Sequence, residues 1–286
     1  MKVSDIYKNG GRTLSFEIFP PKKDEELKNI DDTLDVLCEL NPDFISVTFG
    51  AGGSCNCNKT IELARKIKDK YHVEPVVHLT CLHYDRHEID DFARVIKDAG
   101  IENILALRGD VREDIPKKDD FRYASDVISY LKEKYDFCIL GACYPETHPE
   151  SSNMVDEIKH LKTKVNAGTE FLLSQLFFDN NLFYDFKERC RIADLDIPVI
   201  PGIMPVVKAA QIKRMISMCN ASFPERFQKI VDRYESNKEA LFDAGMSYAL
   251  SQIIDLLVSD TDGIHLYTMN NPQIARKICE GIKNIV

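Results

Sequence analysis

Hydrophobic residues recur at every second position through Leu14, Phe16 and Ile18, with Ser15 and Glu17 between them. That two-residue period is a strand's, and Pro20-Pro21 end it because proline brings no amide hydrogen to a ladder. Over Asp24–Leu40 the period changes: Leu27, Ile30, Leu34, Leu37 and Cys38 share one helical face, and Asn41-Pro42 close the helix. Asp43–Phe49 (DFISVTF) predicts a second strand, which runs into the glycine-rich GAGGS. The alternation continues through helix Asn58–Tyr71, strand Pro75–Leu79, helix Arg86–Ala99, strand Asn103–Leu107 and helix Tyr123–Lys134. Strand Cys138–Cys143, helix Asn153–Ala167, strand Phe171–Gln175, helix Leu182–Ile192 and strand Val199–Ile203 follow. Ala209–Val258 is expected to hold two or three helices, before strand Gly263–Tyr267 and helix Pro272–Ile282.

Apolar strands alternating this regularly with helices predict a parallel sheet with crossover helices. Eight such units, with no Gly/Ser-rich or charged linker between them, match a single-domain (β/α)8 TIM barrel spanning residues 1–286. A doubly wound Rossmann sheet is the competitor. It calls for a Gly-rich turn opening the first helix, and the first turn here is FPPKKDEE.

The net charge of −9 argues against a nucleic-acid surface, which needs clustered Lys and Arg. MKVSDIYKNG lacks the apolar run of a signal peptide and no segment is read as membrane-spanning, so a cytoplasmic location is expected. The nine cysteines are an odd number without a secretory signal, which favours reduced thiols. Cys55-Asn56-Cys57 is the one close pair. It lacks the second knuckle that a structural zinc site uses, and no metal is expected.

In a barrel, chemistry gathers at the carboxyl ends of the strands. Those ends carry Glu17, Thr48, His78 with Thr80, Arg108-Gly109-Asp110, Tyr144, Gln175 and Tyr267. Each alone has a bland explanation, because loops after strands are polar anyway. Two carboxylates, an Arg, a His, a Gln and two Tyr in one ring make an enzyme-like mouth.

The stretches SFEIFPPK, FISVTFGAGG, HLTC, ALRGD, YPETHPE, KVNAGTEFLLSQLFFD, IPGIMPV and HLYTMN occur in this order over nearly the whole chain. Together they resemble the catalytic barrel of the methylenetetrahydrofolate reductases, in the short microbial form without an appended regulatory domain. The resemblance implies a bound FAD, reduced by NADH or NADPH and reoxidised by 5,10-methylenetetrahydrofolate at the same flavin face. It makes Glu17 the general acid that protonates the leaving nitrogen as the folate ring opens to an iminium ion, a task suited to a carboxyl of raised pKa. Asp110 is implied as the second catalytic carboxylate, close to flavin and pterin. Gln175 and Tyr267 join it as folate contacts, the Gln amide offering both donor and acceptor.

For FAD the resemblance assigns Thr48, Ala51, His78, Arg108, Gly109, Asp110, Ala124, Tyr144, His148, Glu157 and Lys164. Arg108 and Lys164 suit the pyrophosphate, and Gly109 allows close backbone approach. His160 and Thr163 replace an Asn and an Arg near the adenine half. Ala209 replaces a Phe that packs on nicotinamide and folate, and Asn271 replaces an Arg that helps hold folate. The missing Phe motivates an alternative in which a partner iron–sulfur or flavin subunit supplies the electrons. A non-catalytic flavin- or folate-binding subunit and a proline-oxidising flavin barrel are further alternatives. The family's habit implies a homo-oligomer.

Overall fold

Alternation of inward and outward side chains along each strand sets the whole architecture. The computed structural model describes residues 1–21, 27–49, 54–210, 212, 215 and 219–285, with the side chains of 27, 28 and 54–57 excepted. Its strands are β1 (Thr13–Ile18), β2 (Phe44–Val47), β3 (Glu74–Thr80), β4 (Asn103–Leu107), β5 (Cys138–Cys143) and β6 (Phe171–Ser174). Next come the short β7 (Val199–Ile200) and β8 (Gly202–Ile203), and finally β9 (Gly263–Tyr267). Every pairing is parallel, in the order β7-β6-β5-β4-β3-β2-β1-β9-β8.

The expected seventh strand, Val199–Ile203, is therefore broken at Pro201. Val199 and Ile200 pair with Leu172 and Leu173 of β6, whereas Gly202 and Ile203 pair with His265 and Leu266 of β9. Pro201 cannot donate, but its carbonyl accepts from the His265 amide at 3.0 Å, so the chain switches neighbours at that residue. The two halves close eight staves into a barrel.

Helices cover the outside. α1 (Ser4–Lys8) lies at the bottom, and around the sides run α2 (Leu27–Glu39), α3 (Ser54–Tyr71), α4 (Arg86–Asp98) and α5 (Ala124–Lys134). After them come α6 (Met154–Asn166), α7 (Asn180–Ile192), α8 (Glu225–Tyr234), α9 (Lys238–Val258) and α10 (Pro272–Ile282). Their starts are chemically marked. Asp85 and Glu88 form a capping box on α4, and Asn153, Asp179 and Asn237 cap α6, α7 and α9. α3 begins four residues before the predicted Asn58, because no glycine or proline interrupts the chain between Gly53 and Tyr71.

Outward residues such as Phe16, Ile45, Val77, Ile104 and Ile139 pack with α2–α7 and α10 into the main core. Inward residues Phe44, Val76, Leu105, Leu140, Phe171 and Ile200 fill the amino-terminal half of the barrel, where Val3 and its neighbours Ile6 and Tyr7 seal the bottom. α1 is absent from the sequence-based expectation, since one turn carries too little periodicity to read. α9 corrects the expectation of no membrane-length segment, for by length and mean hydropathy it could cross a bilayer. In the fold, Leu241, Met246, Ala249, Ile253 and Leu256 are buried against the rest of the protein.

Candidate active site

Polar residues at inward positions of apolar strands form a column up the barrel axis. Ser15, Ser46 and His265 are fully buried. The Ser15 hydroxyl lies 2.8 Å from His265 Nδ1, and Ser46 Oγ lies 3.5 Å from Nε2. One pleat higher stand Glu17 and Tyr267, neighbours in the β1–β9 register. His78 Nε2 faces Glu17 Oε2 at 3.6 Å, with the two side chains only 7% and 21% exposed. Burial penalises whichever form is charged. It pushes the Glu17 carboxyl up to about 8 and holds His78 and His265 down at about 3, with His78 adding to the effect on His265. At neutral pH the pair is thus a protonated acid beside a neutral imidazole.

The turn after β1 is clamped by the loop after its neighbour β9. Asn270 accepts from the Phe19 amide at 3.0 Å and donates to its carbonyl at 2.8 Å. Thr268 Oγ1 donates to the Glu17 carbonyl at 2.8 Å. FPP and HLYTMN therefore form one rigid corner, and Asn270 adopts the left-handed φ of 53° that asparagine tolerates. Tyr267 donates its hydroxyl to the Ser174 carbonyl at 2.7 Å, passing so close to Gly202 that a Cβ there would lie 2.6 Å from its ring.

On the β3–β5 side a cavity of about 880 Å³ opens, walled by Phe49, Thr80, Arg108, Gly109, Asp110 and Tyr144, among others that include His148. Gly109 has φ +87°, and an added Cβ would meet Thr80 at 3.0 Å. Arg108 is engaged throughout its fork: Nε donates to the Gly109 carbonyl at 3.2 Å, and both Nη atoms reach Glu150. Tyr144 and His148 meet edge to face, with centroids 4.8 Å apart. Desolvation, helped by Arg108, lowers the His148 pKa.

Of the residues expected from sequence, this cavity gathers Arg108, Gly109, Asp110, Tyr144 and His148. Glu17, His78, Gln175 and Tyr267 are outside its wall, at the strand ends of the barrel mouth. Thr48 is part-exposed at the end of β2 and Ala124 is buried at the start of α5. Glu157 is buried, and its Oε2 accepts from the His148 amide at 3.1 Å and from Ser151 Oγ at 2.6 Å, so it anchors the loop after β5. Lys164 turns its ammonium onto the Ala142 carbonyl at 2.5 Å, and burial lowers its pKa. Gln175 Oε1 accepts from the Leu176 amide at 2.9 Å, which leaves the NH₂ end for a ligand. Asn271 caps α10 through the Gln273 amide at 3.1 Å. His160 and Thr163 are exposed on α6, and Ala209 is half-buried beside the Phe178, Met204 and Phe227 cluster. Ala51 lies outside the described residues, as do the side chains of Cys55 and Cys57.

Three features escaped the sequence reading. His265 and Ser15 fall on the inward parity of Glu17 and Tyr267, and that parity was the available signal. His83 sits between the Asp110 and Pro116 carbonyls, at 3.0 and 3.1 Å, and clips the loop after β4. Thr147 has φ +87°, uncommon for a β-branched residue, in the YPETHPE loop where Glu146 accepts from the Ser222 amide at 2.8 Å. Only tertiary structure could reveal those partners.

An FAD is tested against two observations. The buried His78 Nε2 has no hydrogen-bond partner among the described residues, and Gly109 at the cavity wall, with φ +87° and Thr80 3.0 Å from where a Cβ would sit, keeps the backbone bare there. Both fit a large polar ligand at this mouth, where Arg108, paired in this structure with Glu150, is a cation of the kind that holds an anionic part.

Comparison with known proteins agrees over the whole length. A Clostridium thermocellum protein described as binding two copies of 5-methyl-5,6,7,8-tetrahydrofolic acid superposes with a TM-score of 0.64 at 14% identity, covering 99% of this chain and 100% of that one. Mycobacterium tuberculosis tryptophan synthase follows at 0.54 and 15% identity, over 98% and 97%. These likenesses establish the barrel fold. In sequence, the 5,10-methylenetetrahydrofolate reductase of Escherichia coli is 35% identical over 270 residues, 94% of this chain and 90% of that protein. Methylenetetrahydrofolate reductase (NADH) 1 of Arabidopsis thaliana is 32% identical over 94% of this chain but only 48% of its own length. The family model for methylenetetrahydrofolate reductase matches residues 2–283, and the chain belongs to that enzyme family.

Proposed function

We propose that residues 1–286 form one flavin-binding barrel that reduces 5,10-methylenetetrahydrofolate to 5-methyltetrahydrofolate, with hydride passed from NADH or NADPH through FAD. Family membership supports the folate reaction. The observation that carries the mechanism is Glu17, a largely buried carboxyl at the end of β1 whose pKa is pushed up to about 8. An acid still protonated at neutral pH can open the folate's five-membered ring by protonating its leaving nitrogen, and the resulting iminium ion is the competent hydride acceptor. When bound, FAD supplies the hydride carrier that links the two half-reactions.

The remaining residues bind and orient. Arg108 holds the anionic part of the cofactor and Gly109 lets it approach the backbone. Asp110, exposed at the cavity wall, accepts from the pterin's donor edge. The Gln175 amide and the Tyr267 ring, whose hydroxyl is already committed to Ser174, position folate and nicotinamide in turn. Neutral His78 stands 3.6 Å from the Glu17 carboxyl and brings no charge to it.

Anaerobic mixing of the purified chain with NADH, followed by flavin absorbance, tests the reading. Rapid bleaching reversed by methylenetetrahydrofolate is expected. A second reading, electrons from a partner subunit, rests on Ala209 in place of an aromatic platform. A flavin that stays oxidised with NADH and NADPH, yet passes electrons to folate once chemically reduced, would favour it over the first.

A further inference from the structure

Arg108 is the residue expected to meet the cofactor's pyrophosphate, yet none of its three nitrogens is without a partner in this chain. Nε is on the Gly109 carbonyl, and the two Nη atoms form a bidentate pair with Glu150, one bond at 2.8 Å. The pairing raises the Arg108 pKa and lowers that of Glu150, each chiefly through the shared hydrogen bonds. A planar fork offering parallel N–H donors accepts a carboxylate or a phosphate in the same way. Glu150 therefore occupies the position an anionic ligand would take.

The surroundings give this pair a direction in which to open. Arg108 lines the 880 Å³ cavity and also a second one of about 560 Å³, which Lys117, Arg122, Tyr123 and Glu150 line on the α5 side. The side chain of Arg108 is 21% exposed and that of Glu150 is 56% exposed, so the glutamate is the partner free to leave. Its backbone need not move. The loop is anchored on either side through the His148 amide and Ser151 hydroxyl to buried Glu157. Lys117, whose charge already reaches Glu150, stands in the outer cavity as a landing point.

We propose that Glu150 is a displaceable internal counter-ion. It neutralises Arg108 in the cofactor-free protein and is exchanged for the pyrophosphate of FAD, so that the two cavities, which both reach Arg108, join into one cleft. This rests on the flavin reading above. The exchange adds a selection rule: a flavin without phosphate can enter the inner cavity but has nothing with which to displace the carboxylate. A half-buried arginine never stands unpaired in either state, which avoids the desolvation cost of an isolated charge.

The test is a titration of wild type and Glu150→Gln with FAD and with riboflavin at fixed ionic strength, followed by flavin fluorescence quenching. Glu150→Gln is expected to bind FAD at least about fivefold tighter, with riboflavin affinity unchanged within about twofold. FAD binding that is equal or weaker in the variant would overturn the proposal and make Glu150 inert or a positioner of Arg108. Equal tightening of both flavins would also overturn it, since the effect would not act through phosphate. Failure of wild type to bind FAD at all would remove the flavin reading itself, a result distinct from the other three.

Discussion

At Glu17 the cost of burying a charge is turned into chemistry. Because its acid form is kept by desolvation alone, the folate half-reaction is expected to decline as pH rises through about 8, while flavin reduction by NADH is not. Glu17→Gln should slow the folate half-reaction by about 10²–10⁴-fold and leave the NADH half-reaction intact, as stopped-flow absorbance would read separately. The same group has a stability signature. The folded protein holds this proton where the unfolded chain releases it from about pH 4.5 upward, so stability falls as pH rises from 4.5 to about 8. Denaturant titrations at pH 5 and pH 9 should show Glu17→Gln gaining on wild type by roughly 4 kcal/mol at the higher pH. His78 and His265 act at the other end. Both are buried neutral near 3, so their contribution is present above the ordinary value of 6.5 and is lost as pH falls toward 3.

Among the elements, the broken seventh strand leaves no room for a side chain at Gly202. A Cβ at Gly202 would sit 2.4 Å from the Ser174 carbonyl oxygen and 2.6 Å from the Tyr267 ring. Gly202→Ala must therefore push β8 from β6 or dislodge Tyr267, and a loss of about 2–3 kcal/mol is expected in urea unfolding. Asn271 marks the opposite case, a position expected from family resemblance to bear on folate but engaged here as a helix cap. Asn271→Ala should cost about 1 kcal/mol of stability, and an unchanged folate KM would identify capping as its whole role. Helix and strand identities were legible because their periods, caps and prolines are local. The break at Pro201 was not, since it depends on which neighbour each half finds.

For the whole molecule, the barrel works as a sealed tube with one open end. Val3 is fully buried in the bottom layer, and its amide donates to buried Asn103 Oδ1 at 2.8 Å. Val3→Asp places a carboxylate in that layer and is expected to lower stability by about 3 kcal/mol or more, read as an earlier thermal transition. Sequence alone determined the alternation of eight apolar strands with amphipathic helices, hence the barrel, and hence the end at which Glu17, Arg108, Asp110, Gln175 and Tyr267 had to gather. Those are consequences of local period and of chain order. Tertiary structure alone decided that Glu17 meets His78, that Ser15 and Ser46 bracket His265, that Tyr267 spends its hydroxyl on Ser174 and that Glu150 holds Arg108. Such pairs join residues 42 to 250 positions apart. The raised pKa of Glu17 belongs to the same level, because it comes from burial, a property of the closed barrel and not of the residue.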